Sequence, residues 1–430
     1  MTTTADPIEW LNRECFCITV DQAALRRELE SDPSTRDLYA ALATTHPYLF
    51  AKTPIFVGRE NVAAMQSLIQ AVEAVARLPQ YRETVLAWAP EIARFDPGTV
   101  GVLMSYDFHV APDGPKLIEI NTNAGGVFLN AALAQAQRAC CGPVLDVIEQ
   151  SPGVTATGAP INARLFDMFR AEWERARGAG MPLETVAIVD DAPDQQFLYP
   201  EFLLAAQVFR QHGVDAVICD PAALTLADGA LLHSGHRLDL VYNRLTDFSL
   251  EEPRHAVLRQ AYLEGAAVVT PHPRAHAIYA DKRNLTVLCD AERLRAWGVE
   301  PAVIDTLQAT IPRTEPVSAA RADELWSRRR ELFFKPVSGF GGKATYRGDK
   351  LTRRVWAGIL AGDYVAQALV PPSERHVRLA DDAPAVSLKL DVRCYVYDRQ
   401  ILSFAGRLYQ GQVTNFRTPG GGFATVFSLP

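Results

Sequence analysis

The chain has 430 residues, 48% of them hydrophobic and 22% charged, with a formal net charge of −7. That length corresponds to two or three domains with a core large enough for an enzyme, and the acidic balance argues against nucleic acid or an anionic membrane as the main partner. No apolar run approaches the roughly 18–20 residues needed to span a bilayer, and the opening MTTTADPIEWLNRE has neither the basic nor the apolar stretch of a secretory leader.

Seven cysteines, among them Cys15, Cys17, Cys140 and Cys141, lack C-x-x-C spacing and suit reduced structural thiols in a cytoplasmic protein. Residues 60–78 place Val62, Met65, Leu68, Ile69, Val72 and Val75 at helical spacing, which predicts an amphipathic helix against the core. The stretch YDFHVAPDGPKLIEINTNAGG, 106–126, predicts a β-hairpin that turns through 111–115. If the hairpin is symmetric about Asp113, Asp107 lies opposite Glu119, and Asn121 shares the face of Glu119. Like charges placed face to face destabilise a sheet, so this pair requires a neutralising group.

The segment SPGVTATGAP, 151–160, reads as a boundary. Beyond it, strands at 186–191, 215–220, 238–244 and 267–271 alternate with helices at 199–212 and 251–264, which predicts a doubly wound parallel sheet. Ligands of such sheets gather at the carboxyl ends of strands, which makes Asn243 and Arg244 candidate substrate residues. A helix is expected over 281–297, then a strand, glycine loop and strand over 332–346, and a strand at 363–374 ending in prolines. The segment 387–427 alternates like antiparallel strands.

The loop SGFGGKAT fails the Walker A spacing, because residue 337 is Val and Ala344 follows Lys343. Gly339-x-Gly341-x-x-Ala344 matches a dinucleotide fingerprint, but no helix follows it. A glycine loop folding over a nucleotide fits the flanks better. Backbone N–H groups from Ser338, Gly339, Gly341 and Gly342 would meet phosphate oxygens, with Lys335 as a point charge. A surface hairpin with a solvated lysine is the alternative.

Together these segments resemble the ATP-grasp superfamily. The resemblance implies that Lys282 in YADKRNLTVLCD and Lys335 in FFKPVSGFGGKA hold ATP. It also implies that Gln367, Ala368 and Leu369 meet adenine and that Glu374 meets the ribose. The family's metal motif, Asp followed by Glu-x-Asn, matches Asp107, Glu119 and Asn121, which would hold two Mg2+ ions and so neutralise the hairpin pair. Arg393 and Arg407 would be catalytic and clamp a substrate carboxylate, and Asn415 would join Asn243 and Arg244 at the substrate. The metal motif precedes both lysines, an order similar to the circularly permuted glutathionylspermidine synthetase-like and glutathione synthetase-like branches. Many relatives carry an arginine two residues before the metal aspartate, and here that position is Ser105.

The implied architecture is α/β, an ATP-grasp fold with a Rossmann-like subdomain and a small lid. Residues 1–160 would form N-terminal helices and the metal-binding part, 161–277 the Rossmann-like part, 278–373 the lid, and 374–430 the remaining catalytic strands. The implied activity is ATP-dependent ligation of a small carboxylate to an amine through an acyl phosphate. A phosphotransferase or a nucleotide-binding protein without turnover are the alternatives. His109 shares the face of Asp107, whereas His272 and His276 read as connector residues.

Overall fold

The computed structural model describes residues 6–137, 161–339 and 341–429. The boundary expected at 151–160, Cys140 and Cys141 lie outside them. At the centre, antiparallel strands run in the order Gly422–Ala424, Gln400–Tyr409, Val386–Tyr397, Met104–Ala111, Gly114–Asn121, with Ser373–Val377 paired to the first half of Val386–Tyr397. Segments nearly 300 positions apart thus share one sheet, and Arg393 sits opposite Asp107. Alternation sorts its side chains into two faces. Tyr106, Phe108, Val392, Cys394 and Val396 pack on Met65, Leu68, Ile69 and Val72 of the helix Arg59–Ala76. The opposite face carries the polar set.

A second sheet is wholly parallel, in the order Val268–Thr270, Leu240–Asn243, Thr185–Val189, Asp215–Cys219. Its strands are apolar on both faces because both are covered. Val186, Ile188 and Tyr242 meet Phe169, Phe202 and Phe209 on one side, while Ala187, Val189 and Val241 meet Leu258 and Tyr262 on the other. Between its strands lies a three-stranded meander, Leu224–Ala227, Ala230–His233 and His236–Arg237. Its Asp228-Gly229 and Ser234-Gly235 turns have φ of 50° to 79° throughout, the backbone of the tight hairpin turn that such dipeptides favour. That signal was present in the sequence and was not among the expected elements.

A third sheet, ordered Thr314–Pro316, Tyr364–Ala368, Leu332–Pro336, Tyr346–Arg347, is antiparallel and packs on Trp356 and Ile359 of the helix Arg353–Ala361. The single helix expected over 281–297 is instead two short ones, Asn284–Leu288 and Ala291–Ala296, because Asp290 caps the second with its side chain. A π-helical turn, His276–Ala280, precedes them, and the Asn284 amide donates to the carbonyls of Ala277 and Ile278 at 2.8 and 2.9 Å. The helix expected at 251–264 starts later, at Ala256, after a 3-10 turn led by Pro253.

The first fifty residues contribute the helices Pro7–Glu14, Gln22–Leu29 and Leu38–Thr45. Asn12 donates to the Phe56 carbonyl at 2.8 Å and accepts its N–H at 3.0 Å, so its amide extends the strand Ile55–Gly58. That strand pairs in parallel with Val426–Leu429. Among the described residues, no helix is long and apolar enough to cross a membrane.

Candidate active site

The hairpin pairs Asp107 with Glu119 and Ser105 with Asn121, but its turn is tighter than symmetry about Asp113 requires, with Ala111 opposite Gly114. A bulge between Asp107 and Phe108 absorbs the difference by leaving Ile118 without a partner. The bulge has a consequence for the site, because the Ile118 carbonyl accepts Lys335 Nζ at 2.7 Å.

The close carboxylates are neutralised first by arginine. Arg393 grips Asp107 with Nε and a terminal nitrogen, both at 2.8 Å, and Arg407 adds a third bond at 2.9 Å. Ser105 Oγ and Asn121 Nδ2 complete the set at 3.3 Å each. Burial works against the Asp107 charge, but the two guanidinium groups outweigh it and hold its carboxyl far below the usual range. Arg407 also bonds Asp391 at 2.6 Å, and Asp391 takes the Thr414 hydroxyl at 2.6 Å. Two guanidinium groups from the strands Val386–Tyr397 and Gln400–Tyr409 thus lie at Asp107, two residues from Ser105.

These contacts bear on a metal ion. A carboxylate offers about four lone-pair positions, and Asp107 already meets five donors. In this arrangement it anchors the two arginines. Glu119 fits a hard cation better. It accepts one 3.3 Å bond from Asn121, and its other oxygen lies 3.9 Å from Lys282 Nζ. Burial raises its carboxyl, but chiefly Lys282 brings it below the ordinary value. Asn121 lies between the two carboxylates, and a half-turn of its amide would present oxygen to a cation.

Lys282 and Lys335 approach the hairpin from segments far along the chain. Lys282 Nζ donates to the Gly339 carbonyl at 3.2 Å, which ties it to the glycine loop. Lys335 Nζ bonds Gln367 Oε1 at 2.7 Å besides Ile118, and burial lowers its pKa to about 8. A side chain at Gly342 would press on Val413 at 3.0 Å, so the loop rests on the segment that carries Thr414. Ser338 and Gly341 are exposed along the same loop.

Other expected residues are placed differently. The Gln367 side chain is bonded to Lys335 and Thr314, and the N–H groups of Ala368 and Leu369 already meet the carbonyls of Arg313 and Glu331. Adenine contacts from this strand would have to use carbonyl oxygens. Glu374 is exposed on Ser373–Val377, opposite Lys389 in the central sheet. Asn415 does not reach the cleft polar set, because its amide bonds Gln410, Val413, Arg417 and Thr418 of its own loop. Thr414 reaches the cluster instead. Asn243 closes its own turn, with bonds to Pro271 and Leu245. His109 donates from Nδ1 to the Val370 carbonyl, 2.9 Å away, and burial lowers its pKa.

Arg244 is buried beside the hairpin and bonds the Asn123 side chain, and its Nε has no partner among the described residues. Gly125 and Gly126 make room for this junction. A side chain at Gly125 would strike Leu198 and approach Arg244, and one at Gly126, whose φ is 99°, would strike Phe423. The Gly125 carbonyl accepts Tyr395 at 2.8 Å and Arg393 at 3.3 Å. Glu201, which sequence reasoning missed, accepts the N–H groups of Gly126 at 2.6 Å and Phe128 at 3.2 Å. His276, read from the sequence as a connector residue, lies beside the hairpin. It stacks flat on Phe248 with centroids 4.0 Å apart and lies 3.1 Å from the Thr122 hydroxyl, next to Asn121. Only the π-helical turn places it there.

No protein-family model and no curated protein matches the chain. Solved structures do. A glutathione synthetase-like effector from Globodera pallida aligns over 95% of this chain and 97% of its own, at 12% identity and a TM-score of 0.56. A protein assigned as a γ-glutamylcysteine synthetase from Methylobacillus flagellatus KT aligns over 86% of this chain and 87% of its own, at 11% identity and a TM-score of 0.45. The ATP-grasp ligase PsnB, complexed with minimal precursor, Mg and ADP, covers 56% of this chain and 88% of its own, at 15% identity and a TM-score of 0.30. The alignment to the effector over nearly the full length of both chains shows that this chain shares the fold of that glutathione synthetase-like protein.

Proposed function

We propose that the chain is an ATP-dependent ligase that activates a small carboxylic acid as an acyl phosphate and joins it to an amine. The observation that carries this is one of charge. Lys282, Lys335, Arg393 and Arg407 converge on a hairpin whose cluster holds the carboxylates of Asp107, Glu119 and Asp391, so four cations face three anions in a buried site. A surplus of positive charge in low dielectric favours an anionic ligand such as a triphosphate.

In this reading Lys282 and Lys335 bind the phosphates, and the glycine loop 338–342 excludes water from the reactive intermediate. Glu119 and Asn121 would hold Mg2+, which would offset the negative charge of the phosphates. Arg393 and Arg407, anchored by Asp107 and Asp391, face the transferring group. The unpartnered Nε of Arg244 receives an anionic group of the substrate at the carboxyl edge of the parallel sheet. The described residues up to 137 and from 374 would together form the catalytic part, those of 161–277 the substrate part and those of 278–373 the lid, the order of a circular permutation. Hydroxylamine trapping with Mg2+ and ATP across a panel of carboxylic acids tests the proposal. Hydroxamate with ADP and free phosphate is the expected result. A phosphorylated product without free phosphate, or ATP binding without ADP for every acid, overturns it.

A further inference from the structure

His255 is fully buried at the start of the helix Ala256–Glu264, and both ring nitrogens face carboxylates. Nε2 lies 2.9 Å from Asp191 Oδ1, and Nδ1 lies 2.8 Å from Asp247 Oδ2. A neutral imidazole carries one N–H and can donate to only one of them, so two donor bonds require the imidazolium. Burial pulls the ring's pKa down, but the bonds to Asp191 and Asp247 win and hold it above the ordinary value. Asp247 also accepts the Glu252 N–H at 2.8 Å, and Arg254 lies 3.1 Å from Asp191 and 2.8 Å from Glu252. Asp190 and Asp220 are the further charges that feel the ring. Ligand atoms of Asp191, Glu252 and His255 come within 4.8 Å of one another, but Arg254 already bridges the two carboxylates. The cluster is a salt-bridge network.

Its position gives it a role. Asp191 follows the strand Thr185–Val189 and Asp247 follows Leu240–Asn243, the adjacent pair at which the order of the parallel sheet reverses. The ring therefore ties together the two loops at the edge where such sheets bind ligands. One loop carries Asp190 and the other begins at Arg244.

We propose that His255 is a positioning residue, an imidazolium shared by Asp191 and Asp247 that holds the Arg244 loop in its substrate-binding geometry and releases it on deprotonation. The proposal rests on the assignment of Arg244 to the substrate. The clamp is complete below the ordinary histidine pKa and is lost as pH rises through the elevated value in the folded protein.

Nitrogen-15 NMR of the full chain tests the proton count, with the His255 signal identified by its absence in His255→Asn. Both nitrogens should be protonated at pH 7, and a neutral ring there overturns the proposal. Asp247→Asn supplies the second test, because an amide nitrogen in the place of Oδ2 can donate to a neutral ring, at the cost of the bond from the Glu252 N–H. As His255 deprotonates in the wild type, KM for the acid found by hydroxamate trapping should rise on the order of tenfold with a smaller change in kcat. Asp247→Asn should flatten that rise. An equal loss in kcat, or an undiminished rise in Asp247→Asn, overturns the positioning role. If no acid is activated, the ligase reading fails but the clamp is still measurable. Amide exchange over 244–252, normalised to the common base-catalysed increase, should accelerate as the ring deprotonates in the wild type and not in Asp247→Asn. Equal behaviour of the two proteins overturns the clamp.

Discussion

Asp107 and Glu119 face each other in one hairpin, yet substitution should cost unequal amounts at the two positions. Asp107 is the common partner of two buried arginines, so Asp107→Asn leaves them short of a counter-charge and should cost about 3–5 kcal/mol in chemical denaturation. Glu119 is held below the ordinary carboxyl value chiefly by Lys282, 3.9 Å away at a partly exposed contact, so Glu119→Gln should cost less stability than Asp107→Asn while abolishing the proposed Mg2+-dependent turnover. Equal destabilisation in both variants would contradict this division. Lys335 adds a pH effect. With a pKa of about 8 in the free site, it is charged below that value and loses its proton above it. A bound triphosphate restores the charge, so affinity for a non-hydrolysable ATP analogue should decline as pH rises above 8, with proton uptake on binding. Calorimetry in buffers of different ionisation enthalpy measures that uptake.

Among the elements, the hairpin and its exit are the most demanding. Its bulge at Ile118 aims a carbonyl at Lys335, and the turn into the helix Val127–Gln135 passes through Gly126 at a φ of 99° against the Phe423 ring. Gly126→Ala meets both a steric clash and a left-handed backbone. A loss of about 1–3 kcal/mol is expected from the backbone strain alone. Phe423→Leu should recover part of the loss, since it relieves the clash and leaves the strain; no recovery would place the whole effect in the backbone. The alternation that sorts Asp107, Arg393 and Arg407 onto one face was legible from period two in the sequence. The bulge was not, because an inserted residue leaves the hydrophobic pattern on either side intact.

Across the whole molecule, the N-terminal segment is bound to the catalytic sheet by polar contacts that no local pattern announces. Arg375 is fully buried without a carboxylate and instead donates to the carbonyls of Pro54, Asn12, Cys15 and His376. Burial lowers its pKa to about 10. Asn12 adds two bonds to the Phe56 backbone. Asn12→Ala removes both and should reduce stability by about 1–3 kcal/mol at roughly 0.5–1.5 kcal/mol per bond. Unchanged denaturant midpoints would show that the first helix is dispensable to the fold.

The sequence by itself determined the strand and helix alternation of 185–270, the apolar face of Arg59–Ala76, the hairpin pairing of Asp107 with Glu119, and the two lysines flanking the glycine loop. Each of these rests on local periodicity or on a short motif, and local sterics and burial impose both. Only the tertiary structure decided that Arg393 and Arg407 close on Asp107, that Thr414 and not Asn415 reaches Asp391, and that Gln367 secures Lys335. It also decided that His255 lies between two aspartates. The physical reason is that a long polar side chain can satisfy its hydrogen bonds within its own loop, as Asn415 does, or across hundreds of residues, as Arg393 does. Which of these occurs depends on the partners that sheet pairing brings within about 3 Å.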